Sequence, residues 1–276
     1  MTPILSTKDL NLYYREEGTG TPVVLLHGLT LSGLMWTPQV KALSKTYRVI
    51  IPDLRGHGKS SAPDHGYTFH DYASDIKRLF DELNLDKAHL IGLSLGGAVA
   101  AEFTVAYAES VISTVLISPM PPRFIPGDDW LVTLNKFRSV MNDKGLDSAV
   151  ENVLLKEPVF GKMNIGIDDW MNLKNAVRQF SGTPVDDNLS GRNDSMRILE
   201  LLPALETPFL IITGENDYKK FHDTAESLAD SLLNVRHLSI KNAGHLCSME
   251  QPEIVNKEIL QFLSDSVHHR TQKSDD

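Results

Sequence analysis

A chain of 276 residues with a formal net charge of −9 can bury a large core and suits one α/β domain carrying an insertion. It shows no cluster of Lys and Arg that could neutralise phosphates, which argues against a nucleic-acid binder. The single cysteine, Cys247, rules out an internal disulfide and favours a reducing compartment. A small buried apolar role suits it better than catalysis, although it stands two residues after a histidine. The first residues lack both the basic segment and the apolar run of a signal peptide. The most apolar helix, 97–108, is short and interrupted by Glu102, so the expectation is a cytoplasmic protein without membrane contact.

In chain order, Leu10 to Glu17 is strand-like, and Gly18-Thr19-Gly20-Thr21-Pro22 turns the chain into the apolar run Val23-Val24-Leu25-Leu26. A loop of small residues, His27-Gly28-Leu29-Thr30-Leu31-Ser32-Gly33, lets the backbone approach something closely. A helix-like stretch, 36–44, and a strand, 47–51, lead to Pro52-Asp53-Leu54-Arg55-Gly56-His57-Gly58-Lys59-Ser60. Strand, helix and strand alternate, which implies right-handed βαβ units and a parallel sheet covered by helices. From Thr68 to Asp86, Tyr72, Ile76, Leu79, Phe80 and Leu83 recur at helical period, with Thr68 as N-cap and Asp71 three residues on.

Ala88-His89-Leu90-Ile91 is a buried strand, and Val99 to Phe103 is helix-forming. Between them Gly92-Leu93-Ser94-Leu95-Gly96-Gly97-Ala98 sets one serine among glycines at a sharp strand-to-helix turn, the pattern of a nucleophile elbow. Another apolar strand runs from Val111 to Ile117. From about Pro119 to Leu205 the strand rhythm stops, and helix-like stretches appear at 130–141, 146–155, 170–180 and 195–202. This reads as a helical cap over the carboxyl ends of the strands, residues 119–205. Strands resume at 208–214 and 235–240, and a last helix spans about 252–263. The core is therefore 1–118 with 206–265, and the polar residues 266–276 read as a frayed tail.

In an open parallel sheet, reactive groups sit just past the strand ends. Ser94, Asp217 and His245 each follow a strand. A serine hydroxyl is a poor nucleophile until an imidazole accepts its proton, and that imidazole needs a carboxylate to fix its tautomer. The amides of Leu29 and Leu95 are the candidate oxyanion donors. Glu215 and Asp223 compete with Asp217 for the acid, and His222 is a competitor for the base.

Together His27-Gly28, Asp53 to Ser60, the Gly-x-Ser-x-Gly elbow, Gly214-Glu215-Asn216-Asp217 and Ala243-Gly244-His245 resemble the α/β-hydrolase superfamily, in particular its small serine esterases and lactonases. The resemblance implies a mostly parallel sheet of the eight-stranded type with helices on both faces and a helical cap. It also implies the chain order Ser94, Asp217, His245 for the triad. Asp217 is favoured over its rivals by the family spacing after strand and glycine. The implied activity is cleavage of a small-molecule carboxylic ester or lactone through an acyl-enzyme, with no cofactor and no metal. The alternatives are carbon–carbon hydrolysis of diketones, transfer of the acyl group to peroxide, and a hydrolase-fold small-molecule receptor. Met120, Trp130 and Trp170 are candidates for contacting substrate. Like Phe137 and Phe180, the two tryptophans also suit simple core. Asp128-Asp129 and Asp168-Asp169 either bias the entrance toward cations or form a solvated face.

Overall fold

Short apolar runs bounded by turn residues become the strands of one sheet. The computed structural model describes residues 4–6, 10–121, 128–157, 165–180, 198 and 200–273. Among these, eight strands lie in the order β1-β2-β4-β3-β5-β6-β7-β8. They are β1 Ile4–Ser6, β2 Asn11–Glu17, β3 Pro22–Leu26, β4 Arg48–Pro52, β5 Ala88–Leu93, β6 Val111–Ile117, β7 Phe209–Gly214 and β8 Val235–Ile240. β1 pairs antiparallel with β2 and β2 with β4, and every other pairing is parallel. β3, β5, β6 and β7 are buried along almost their whole length, as strands covered on both faces must be. The edge strand β8 exposes Arg236 and His237.

The helices follow the expected periods closely. A 3-10 turn, Gly33–Trp36, leads into α1, Thr37–Leu43. In α2, Phe69–Glu82, the residues Tyr72, Ile76, Leu79 and Phe80 face inward. Its start is a full capping box: the Asp71 N–H donates to Thr68 Oγ1 at 3.1 Å, and the Thr68 N–H donates to the Asp71 carboxylate at 2.9 Å. α3, Leu95–Ala106, is buried on nearly every side, because it packs on β3, β5, β6 and α2 at once.

Between β6 and β7 the described residues form α4, Asp128–Lys144, α5, Leu146–Asn152, and α6, Ile167–Arg178, with no strand among them. Phe137, Val150, Leu154, Leu173 and Phe180 join the same hydrophobic core as the sheet. Ion pairs from Lys174 and Arg178 to Glu151, and from Arg178 to Asp147, tie α6 to α5. Of the helix expected over 195–202, residues 198, 200 and 201 are helical, Leu202 begins a 3-10 turn, and the other four lie outside the described residues.

Two features differ from the sequence reading. β1 adds an antiparallel strand ahead of β2 that three residues of mixed character do not announce. The C-terminal helix, Pro252–Lys273, runs well past Leu263, so the segment read as a frayed tail is helical up to 273. Leu263 is fully buried, Ser266 is 2% exposed, and the Ser266 hydroxyl donates to the Phe262 carbonyl at 2.8 Å. As far as Ser266, packing on one face thus holds a stretch that polarity alone would release. No helix among the described residues is long and apolar enough to cross a membrane.

Candidate active site

Ser94 lies between β5 and α3 with φ 52° and ψ −112°, a region that side-chain-bearing residues seldom occupy and that costs of order 1–3 kcal/mol. The surrounding main chain enforces it. The Ser94 N–H donates to the Ile117 carbonyl at 3.0 Å, and the Ser94 carbonyl accepts from Ala98 at 3.1 Å and Met120 at 3.0 Å. The flanking glycines permit the turn: a Cβ on Gly92 would stand 2.1 Å from the Gly96 carbonyl oxygen, and one on Gly96 would stand 2.0 Å from that of Leu26. So the elbow can form only with those two positions bare.

The loops after β7 and β8 are joined by their backbones. Glu215 N–H donates to the Ile240 carbonyl and Asn216 N–H to the Ala243 carbonyl, both at 2.8 Å. That fixes the spacing of Asp217 and His245, whose Nδ1 lies 3.0 and 3.2 Å from the two Asp217 carboxylate oxygens. Asp217 Oδ1 also accepts the Tyr218 N–H at 2.7 Å. Burial pushes the Asp217 carboxyl up, but the hydrogen bond and charge of His245, the nearby Ser118 hydroxyl and the Tyr218 amide outweigh it and hold the group below its ordinary value. The carboxylate therefore stays ionised where an imidazole needs a fixed partner. The rival acids are engaged elsewhere: Glu215 accepts the Asn242 N–H, and Asp223 pairs with Lys219 on the surface.

The Leu29 loop is tied to the segment after β4. Asp53 Oδ1 accepts the Gly33 N–H at 2.8 Å, and its Oδ2 accepts the Lys59 N–H at 2.9 Å. His27 Nε2 accepts the Leu54 N–H at 2.9 Å, so the proton is on Nδ1, which donates to the Gly28 carbonyl at 2.9 Å. The Leu31 N–H closes a turn onto the Gly28 carbonyl, with Thr30 at φ 65°. Among the described residues neither the Leu29 nor the Leu95 amide is engaged in a hydrogen bond. Leu95 opens α3, where the helix dipole favours negative charge.

His27 and His57 serve as loop supports. Their rings meet edge-on at 5.1 Å, and both are buried. Burial lowers His27 to about 4 and His57 to about 3, so both are neutral near pH 7. Cys247 is fully buried, and burial pushes its thiol far up, which leaves no thiolate for chemistry. Among the described residues the histidine hydrogen-bonded to Asp217 is His245, not His222.

Of the residues expected to contact substrate, Met120 sits beside the elbow with only 3% exposure, bonded to it through its amide. Trp170 is partly buried against the core, and the side chain of Trp130 lies outside the described residues. Phe137 and Phe180 pack 6.1 Å apart, and Phe180 packs on His57 at 5.2 Å, a core role that also joins the insertion to the Asp53 loop. Asp168 and Asp169 stand in the first turn of α6 and complement its dipole. The side chains of Asp128 and Asp129 lie outside the described residues.

Of two neighbours of the triad candidates, Ser118 stands after β6, where a serine cannot serve as the acid, and Phe221 belongs to no motif in the sequence. Phe221 stacks on His245 with ring centroids 4.2 Å apart. Its place four residues after Asp217, on the first turn of the helix Lys219–Ser231 that follows β7, is the signal it leaves. Ser118 is fully buried at φ 43°, beside Asp217 but without full hydrogen-bond geometry to any group.

A doubly anchored serine elbow and a carboxylate-held histidine at the ends of parallel strands define an α/β enzyme site of the hydrolase type. A sequence profile described as alpha/beta hydrolase fold matches residues 21–189. The chain belongs to that family. The non-heme chloroperoxidase CPO-A1 of Kitasatospora aureofaciens is 37% identical over 95% of this chain and 99% of that protein. Carboxylesterase YbfK of Bacillus subtilis is 29% identical over 87% of this chain and 79% of its own length. The solved thermophilic esterase from Thermogutta terrifontis superposes with a TM-score of 0.78 at 28% identity, covering 96% of this chain and 99% of that one.

Proposed function

We propose that the chain is a serine hydrolase that cleaves a carboxylic ester or lactone through an acyl-enzyme. The observation that carries the reading is the pairing of a strained Ser94 elbow with a two-oxygen Asp217 grip on His245 Nδ1. With Nδ1 holding its proton toward Asp217, Nε2 is the free lone pair that accepts the Ser94 proton. The alkoxide attacks the ester carbonyl, and the developing oxyanion takes the Leu29 and Leu95 amides, which have no hydrogen-bond partner among the described residues. His245 then protonates the leaving alcohol, or the ring oxygen of a lactone. Water, deprotonated by the same imidazole, releases the acid and restores Ser94.

The kinship with carboxylesterases supports this choice of reaction. Residues 119–205 act as the cap that selects the acyl and alcohol groups, with Met120 and Trp170 in contact with the acyl group. A second reading, attack on the acyl-enzyme by hydrogen peroxide to release a peracid, is favoured by relatives named as non-heme chloroperoxidases. The test is hydrolysis of p-nitrophenyl acetate and butyrate, with and without peroxide, alongside labelling by a fluorophosphonate. Turnover and labelling that both vanish in a folded Ser94→Ala variant support the proposal. Undiminished turnover in that variant overturns it.

A further inference from the structure

The histidine loop carries a second carboxylate that the triad leaves without a role. Glu250 closes the one-turn helix Cys247–Glu250, and its Oε1 accepts the Gly244 N–H at 3.0 Å. The Leu246 amide stabilises the same carboxylate. Gly244 and Leu246 are the residues immediately before and after His245. The backbone completes the closure: the Met249 and Glu250 N–H groups donate to the Leu246 carbonyl at 2.8 and 3.0 Å. Glu250 is partly buried, and burial raises its carboxyl, with Asp217 raising it further and His245 opposing both. It therefore lies within electrostatic reach of both partners of the His245–Asp217 pair.

The other groups around His245 do not substitute for this charge. Asp217 faces Nδ1, and Phe221 covers the ring with an uncharged face. Lys220 Nζ lies beyond Phe221, 5.4 Å over its ring, and Cys247 is held as a neutral thiol. We propose that Glu250 is a positioning residue for His245: its carboxylate holds the Gly244 amide directly ahead of the histidine and, with Asp217, favours the imidazolium formed when Ser94 loses its proton. The proposal rests on the triad reading of Ser94, Asp217 and His245. A general base must stay within hydrogen-bond reach of its proton, and small misplacements of such a group cost up to about a hundredfold in rate.

Two variants separate clamp from charge. Glu250→Gln retains an oxygen to accept the Gly244 N–H and loses the charge, whereas Glu250→Ala loses both. Rates on p-nitrophenyl acetate are measured across pH together with thermal melts. In Glu250→Gln the acidic limb of kcat/KM moves toward lower pH, because the imidazolium has lost one stabilising charge. In Glu250→Ala kcat falls a further tenfold or so with KM unchanged. An acidic limb in Glu250→Gln that coincides with the wild type, or losses matching the loss of folded protein, overturns the proposal. Failure of the triad reading shows separately, as turnover that survives Ser94→Ala. Amide hydrogen exchange then decides the clamp without any substrate: at Gly244 it accelerates at least tenfold in Glu250→Ala and stays slow in Glu250→Gln, and unchanged exchange in Glu250→Ala overturns it.

Discussion

His245 Nδ1 meets both oxygens of Asp217, at 3.0 and 3.2 Å, in a contact spanning 28 residues of chain and two strand ends. The contact depends on the backbone bonds that join the two loops, so it is set before any substrate arrives. An imidazole so held has its tautomer fixed, with Nε2 left unprotonated, and the carboxylate would compensate it on becoming cationic in the proposed reaction.

Replacing Asp217→Asn keeps the shape but removes the charge and offers an amide donor to Nδ1. The ring then turns its protonated nitrogen toward Ser94. Ester turnover is expected to fall by roughly a thousandfold or more. Steady-state kinetics on a short p-nitrophenyl ester check this, with circular dichroism to establish an unchanged fold.

Ser94→Gly and Ser94→Ala should differ in stability though both are inactive. Glycine relieves the backbone strain of φ 52° and should stabilise the fold by about 1 kcal/mol or more. Alanine keeps a Cβ in the same conformation and gains nothing. Thermal denaturation of the two variants side by side measures the difference, and equal midpoints would show that the elbow stores no strain.

Acid should weaken the fold through His27 and His57. Both have an ordinary value of 6.5 when unfolded, and burial lowers them to about 4 and about 3 in the fold. The unfolded state thus binds protons that the native state refuses. Their contribution is fully present above the unfolded value and is lost as pH falls from 6.5 toward 4 for His27 and 3 for His57. Between about pH 7 and 5 the loss is roughly 2 kcal/mol per histidine. Urea titrations at the two pH values read it directly, and a His57→Phe variant should show a shallower decline.

Arg55 grips Asp75 through two contacts, Nε to Oδ2 at 2.5 Å and Nη2 to Oδ1 at 2.6 Å, and also donates to the carbonyls of Gly66 and Asp71. The Asp75 side chain is 1% exposed and that of Arg55 11%, so this pair pins the loop after β4 onto α2. Removing one partner strands a buried charge, and Asp75→Ala should cost about 3–5 kcal/mol. Chemical denaturation measures it. A paired Arg55→Met, Asp75→Leu variant should recover most of the loss.

Much of this architecture is legible in the sequence, because the central strands are mainly apolar runs and α2 repeats its apolar residues at 3.6-residue spacing. The capping box at Thr68 and Asp71 and the glycines around Ser94 act over a few residues, so their consequences are local and readable. The same holds for placing Ser94, Asp217 and His245 after strand ends. The spacing after strand and glycine already favours Asp217 over Glu215 and Asp223, but only the pairing of the loops after β7 and β8 brings its carboxylate to His245 Nδ1. Tertiary structure also decided that the chain beyond Leu263 stays helical, that Phe221 covers His245 and that Glu250 accepts the Gly244 N–H. Those contacts depend on distances across the fold between residues of unremarkable type, which no local pattern encodes.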